Sequence, residues 1–205
     1  MEKTNAKYNA YIKILEEELR PAMGCTEPIA LAYAAAVARK VLGELPDKVV
    51  IGASGSIIKN VKSVIVPNTD HLKGIPAAAA AGIIAGREDR ELEVLSEVTQ
   101  AQIEEMRAYL KEAAFEIRPI DSPFIFDIRI TVCADGDQAT ARIVGSHTNL
   151  VQLLHGTTRI IDRPCSETVS ERRTDRSILT VERIVDFADS LCPEDVQELF
   201  ERQIS

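Results

Sequence analysis

The residues best suited to chemistry stand together near the start of the chain, in Pro21-Ala22-Met23-Gly24-Cys25-Thr26-Glu27-Pro28. A cysteine follows a glycine there, and the proline three residues on suits the first turn of a helix, where its missing N–H needs no partner. If a helix opens at about Pro28, Cys25 lies just before the positive end of the helix dipole. A thiol so placed loses its proton more readily, which fits nucleophilic, basic or metal-ligand work. The plainer reading of the same residues is a small buried cysteine at a tight turn.

Other candidates are more scattered. Gly52-Ala53-Ser54-Gly55-Ser56-Ile57-Ile58-Lys59-Asn60 could present the Ser54 and Ser56 hydroxyls, the Lys59 ammonium and the Asn60 amide to a carboxylate. It lacks the residue order of a phosphate-binding P-loop, the pattern is weak, and a plain inter-strand loop is the better account of it. Asn68 and Thr69 sit in a turn that their own side chains could build. His147 follows Gly145-Ser146, where a histidine often serves a turn, and His155 precedes Gly156. No Ser-His-Asp set and no paired-acid metallohydrolase motif is present.

The elements that must position these residues can be read from periodicity. Tyr8–Leu19 has helical spacing, Ile29–Leu42 is an alanine-dominated helix closed by Gly43, and Gly74–Gly86 is a second alanine-rich helix. Residues 92–98 and 100–114 also read as helical. Lys48–Ile51 and Val61–Val66 read as strands on either side of the serine-containing loop. From Phe124 the period becomes two, with Phe126, Ile128, Ile130 and Val132 on one face and Asp127, Arg129 and Thr131 on the other. Asp135-Gly136-Asp137 turns the chain into Ala139–Val144, and Leu150–Leu154 follows, a β-meander. Residues 162–177 read as a polar loop or hairpin. Thr180 caps a helix over 181–191, and Pro193 starts another. The class is α+β: alanine-rich helices on a small, mostly antiparallel sheet, with C-terminal helices. Residues 1–205 form one domain, subdivided if at all into a helix-rich 1–115 and a meander with helices over 116–205.

Composition narrows the function further. The 205 residues are 45% hydrophobic and 27% charged, which is globular material. A formal net charge of −8 argues against a nucleic-acid surface. Four cysteines with no C-x-x-C pair give neither a secreted disulfide framework nor a zinc ribbon. No signal peptide and no membrane span is recognisable, so the expected setting is cytoplasmic, without membrane contact.

Residues 18–36 around Gly-Cys-Thr-Glu-Pro, with Ser54–Asn60, Val66-Pro67-Asn68-Thr69, Leu72-Lys73-Gly74-Ile75 and the turn at 145–149, resemble the L-cysteine desulfidase family, grouped with the alpha chain of iron–sulfur L-serine dehydratases. The resemblance implies the N-terminal portion or subunit of a β-elimination lyase. Such an enzyme takes a small amino acid, L-cysteine or L-serine, to pyruvate and ammonia, with sulfide released from cysteine. It implies a [4Fe–4S] cluster with Cys25 as base or cluster-associated thiolate. Ser54, Ser56, Lys59, Asn60, Asn68, Thr69 and His147 would then serve as substrate contacts. Ser56 stands where the family pattern has Asn. Family members are about twice as long, and their remaining cluster cysteines lie in a C-terminal half that this chain lacks. The expectation is therefore a subunit, a split-gene product or a truncated form, with a separate C-terminal subunit and self-association as expected partners. Cluster binding by the chain alone is not expected. The alternatives are a non-catalytic domain that binds a small amino acid or a partner, and an inactive remnant.

Overall fold

A computed structural model describes residues 5–19, 21–22, 24–165 and 174–204. The part of the predicted polar loop at 166–173, and Met23 of the cysteine motif, lie outside the described residues. Chain contacts group into two units, Ala22–Val169 and Met1–Pro21 with Ser170–Ser205, a division that does not run near residue 115.

The larger unit is a helix-covered six-stranded sheet, and the α+β reading is correct. Its first helix is α2 (Thr26–Leu42); α1 (Ala6–Glu18) belongs to the other unit. The strands are β1 (Lys48–Ala53), β2 (Ala114–Pro119), β3 (Asp127–Ala134), β4 (Asp137–Val144), β5 (Leu150–His155) and β6 (Thr158–Asp162). They lie in the order β2-β1-β3-β4-β5-β6. Only β1 and β2 pair in parallel, Lys48 opposite Ala114 through to Ala53 opposite Pro119. A parallel pair needs a long crossover, supplied by α3 (Gly55–Val61), α4 (Gly74–Ala85) and α5 (Gln100–Glu112). The remaining strands run antiparallel as the expected meander, lengthened by β6.

Local chemistry explains the helix limits. Gly43 ends α2 in the left-handed region at φ 85°, and its N–H returns to the Arg39 carbonyl. Thr99 and Gln102 form a reciprocal capping box at the start of α5. Along β3 the alternation holds, with Ile128, Ile130 and Val132 fully buried.

Four readings need correction. The stretch read as a loop, Ser54–Asn60, is mostly helix α3, because Ile57 and Val61 share one buried face a turn apart. No strand runs over 61–66, where Ile65 makes only an isolated bridge to Lys73. The 92–98 helix is a short 3-10 segment, Glu88–Glu93, followed by turns. Strands β2 and β6 were not anticipated, because both are largely exposed and carry no clean alternation.

The core is organised by α2 and α4. Every residue from Ile29 to Ala38 is buried, as is every residue from Ala77 to Ile83. Helices apolar all round belong inside a protein, and α2 packs on β3 and β4 while α4 packs on α2. Their backbones touch at one point: a Cβ built on Gly82 would stand 2.0 Å from the Ala32 carbonyl oxygen.

Gly82→Ala should therefore force the helices apart and cost about 1–3 kcal/mol, the range for overpacked cores. The check is the midpoint of urea unfolding. Gly55→Ala meets nothing within 4 Å and should be neutral or gain about 0.4–1 kcal/mol.

Candidate functional site

Strand directions gather several loops at one end of the sheet. β1 ends where β3 begins, and β4 ends where β5 begins, since Ala53 pairs with Ile128, Asp127 with Val144 and Ile143 with Leu150. The Ser54 N–H donates to the Asp127 carbonyl at 2.9 Å, and the Gly145 N–H donates to the Phe126 carbonyl at 2.9 Å. The Asn149 side chain closes the β4–β5 loop on the Val144 carbonyl at 2.8 Å. His147, carried by that loop, lies edge-on to Phe126 with ring centres 4.6 Å apart.

The N-terminus of α2 reaches the same loop. Cys25 occupies the N-cap position with extended backbone, and its side chain does not cap the helix. Instead its thiol donates to Glu27 Oε2 at 3.3 Å, an oxygen that also accepts from the Thr26 hydroxyl at 3.4 Å. Glu27 in turn interacts electrostatically with His147. On the other side Gly24 takes φ 95°, a conformation that favours glycine, and lies beside the Pro67 turn, where an added Cβ would stand 3.4 Å from Pro67 Cγ. Thiol and carboxylate are thus in contact at the start of α2, within the electrostatic reach of the imidazole, with Cys25 exposed.

The electrostatics reverse one expectation. Burial first, and the Glu27 carboxylate next, push the Cys25 thiol above its ordinary value. The predicted helix-end thiolate is corrected accordingly: the thiol is held protonated, by burial first and by the neighbouring carboxylate next. Burial acts to raise the Glu27 carboxyl, but its own backbone N–H, the Cys25 thiol, His147 and Thr26 together hold it below the usual range. Burial lowers His147, and Glu27 offsets only part of that effect. Near neutral pH the cluster is a neutral thiol, a carboxylate and a neutral imidazole.

The remaining predicted site residues are placed as follows. The Ser54 hydroxyl donates to the Ile125 carbonyl at 2.5 Å, and the buried Thr69 hydroxyl to the Val66 carbonyl at 2.8 Å, so both hold backbone turns. The Asn68 amide donates to the Leu95 carbonyl at 3.0 Å. Asn68, Asp70 and His71 all take positive φ, of 56°, 48° and 66°. Such backbone persists only where its surroundings enforce it, and Arg107 contributes by bonding both the carbonyl and the carboxylate of Asp70. Ser56, Lys59 and Asn60 are exposed on α3, whose buried side is Ile57 and Val61. Among the described residues no three His, Cys, Asp or Glu side chains converge to hold a metal ion.

Sequence reasoning missed Glu27, although it lies in the quoted motif two residues after Cys25. It also placed Asp127 on a solvent face. Asp127 is fully buried at the head of β3, accepting from Ser122 at 2.6 Å and from Arg142 at 3.0 and 2.7 Å. The signal for it was a carboxylate and an arginine on adjacent strands of one meander.

No family model matches the chain, and no solved structure matches it. It is 50% identical over 204 residues to a UPF0597 protein of Desulfitobacterium hafniense, covering 100% of this chain and 47% of that protein. The chain is similar to UPF0597 proteins. Those of Treponema denticola and Fusobacterium nucleatum are 44% and 37% identical, each over 97% of this chain and 46% and 47% of their own length. The chain thus spans about half the length of the curated relatives it matches. These matches overturn the resemblance to L-cysteine desulfidases and iron–sulfur L-serine dehydratases, since the whole chain aligns with proteins of another name. The reading as part of an iron–sulfur lyase and the description as a truncated chain are corrected with it. Among the described residues no helix is long and apolar enough to cross a membrane.

Two outcomes follow from this geometry. Alkylation of Cys25 by iodoacetamide should rise with pH around a midpoint above that of an ordinary thiol. Glu27→Gln removes the adjacent negative charge that opposes ionisation, so the midpoint should move down and labelling near pH 8 should quicken. Asp127→Ala leaves the Arg142 guanidinium without its buried partner and should cost about 3–5 kcal/mol of stability in urea unfolding.

Proposed function

We propose that Cys25 is the reacting group of an acid–base site for a small polar metabolite. The observation that carries this reading is the exposed thiol bonded to Glu27 at 3.3 Å, with His147 electrostatically coupled to the same carboxylate. A thiol kept protonated at neutral pH is a proton donor. When a bound molecule offers a basic atom, Cys25 transfers its proton there, and the sulfur becomes a thiolate at the amino end of α2. The dipole of that helix offsets part of the repulsion that the new negative charge meets from Glu27. Returning the proton restores the resting state.

In this scheme Glu27 is a positioning residue that orients the S–H, and the neutral imidazole of His147 can accept a second proton and return it as imidazolium. An ionisable group on the ligand suits the site, since the carboxylate favours a cation and the helix end an anion.

The test is turnover of a defined mixture of small polar metabolites, followed by mass spectrometry. The chain should consume at least one component, and Cys25→Ala should slow that reaction by about 10²–10⁴-fold, the usual contribution of a general acid–base group. Equal rates for both proteins would overturn the reading.

A further inference from the structure

The smaller unit presents an apolar surface that the acid–base site does not use. Its helices are α1, α6 (Val181–Ser190) and α7 (Gln197–Ile204). Helix α6 is apolar on two sides. One side, through Phe187 with Ile178 and Leu191 nearby, packs onto Tyr8 and Tyr11 of α1. The other side carries Val181, Ile184, Val185 and Ala188, spaced three and four residues apart. Val181 is 81% exposed, Val185 52% and Ile184 45%. The stripe continues into a groove of about 430 Å³ whose apolar lining is Ala188, Leu191, Pro193, Val196 and Phe200, edged by Glu194, Gln197 and Glu201, and Phe200 is itself 47% exposed. Charged residues, Glu182, Arg183, Asp186 and Asp189, alternate around it. An apolar strip with a charged rim is the anatomy of a protein interface.

The same unit is short of core. Among the described residues its buried apolar side chains are Tyr8, Tyr11, Ile14, Phe187 and Val196, and only Tyr8, Tyr11 and Phe187 form a cluster. A unit under about 60 residues buries too little surface to be robust alone, yet this one leaves its most regular apolar face in water.

The relatives supply an occupant. They match this chain from end to end, but it accounts for only 47%, 46% and 47% of their length. In each, a polypeptide about as long as this chain is joined to the matched part. We infer that the Val181–Val185 stripe and the adjoining Phe200 groove are a docking surface for a polypeptide of the kind that makes up the unmatched half of those UPF0597 proteins. Its contacting surface is apolar, and it completes the thin core of the smaller unit.

The experiment is co-expression of the full 205-residue chain with the unmatched half of the Desulfitobacterium hafniense relative, followed by affinity capture and sedimentation velocity. A one-to-one complex is expected. Ile184→Glu with Val185→Glu should weaken it at least tenfold, while Ile160→Glu, on strand β6 of the other unit, should leave it unchanged. Both sets of substituted residues are exposed, and thermal melting by circular dichroism checks that each variant folds. Failure to capture the second polypeptide would overturn the inference, as would a complex indifferent to the double substitution. So would a homodimer of the chain alone that the double substitution dissolves, because the occupant would then be a second copy.

Discussion

The larger unit depends on the contact of two helix backbones at Gly82 and Ala32. A side chain at residue 82 would occupy space already filled by the Ala32 carbonyl, so α2 and α4 can close only because one of them has no Cβ there. With that contact made, α2 is clasped between α4 and the sheet along its buried length, Ile29–Ala38. It has no polar face with which to settle elsewhere. The position of its first turn is thereby fixed, and with it the position of Cys25 and Glu27.

What happens at that first turn is decided by magnitudes. The dipole of a helix end stabilises a nearby anion by about 0.3–1 kcal/mol at exposed sites. Two unit charges about 4 Å apart near a protein surface interact by about 4 kcal/mol. A carboxylate at hydrogen-bonding distance from a sulfur therefore outweighs the dipole, and the thiol keeps its proton. On the thiolate that remains once a proton has been passed on, the dipole offsets only part of the carboxylate's repulsion. Burial makes His147 neutral and so leaves Glu27 as the only charged member of the cluster near neutral pH.

Much of the frame was legible because its signals are local. Pro28 and Gly43 mark α2, Pro76 and Gly86 bracket α4, and Thr180 caps α6, each by a backbone requirement confined to one turn. The alternation of Ile128, Ile130 and Val132 needs only the neighbouring strand to become a buried face. Cys25 and His147 could be singled out by residue type. Features that depend on distant partners were not legible. β2 is an exposed strand paired in parallel through a crossover of three helices, so its sequence carries little pattern. Asp127 looks solvent-facing by alternation and is buried only because Arg142 and Ser122 come to meet it. Glu27 matters through the loop that brings His147 to it, which no spacing within the motif could announce. The family resemblance failed for a related reason: short motifs along the chain, from residues 18–36 to the turn at 145–149, fix local turns and helix ends, whereas the matches over the whole chain lie with proteins of another name.

The convergence of α2 and the β4–β5 loop is tested most directly by following the His147 imidazole resonances by NMR against pH, in the native chain and in Glu27→Gln. Burial should hold the native midpoint below that of an ordinary histidine. Removing Glu27, whose charge favours the protonated ring, should lower it further. A native midpoint at the ordinary value, unmoved by the substitution, would mean that Glu27 and His147 do not share a site.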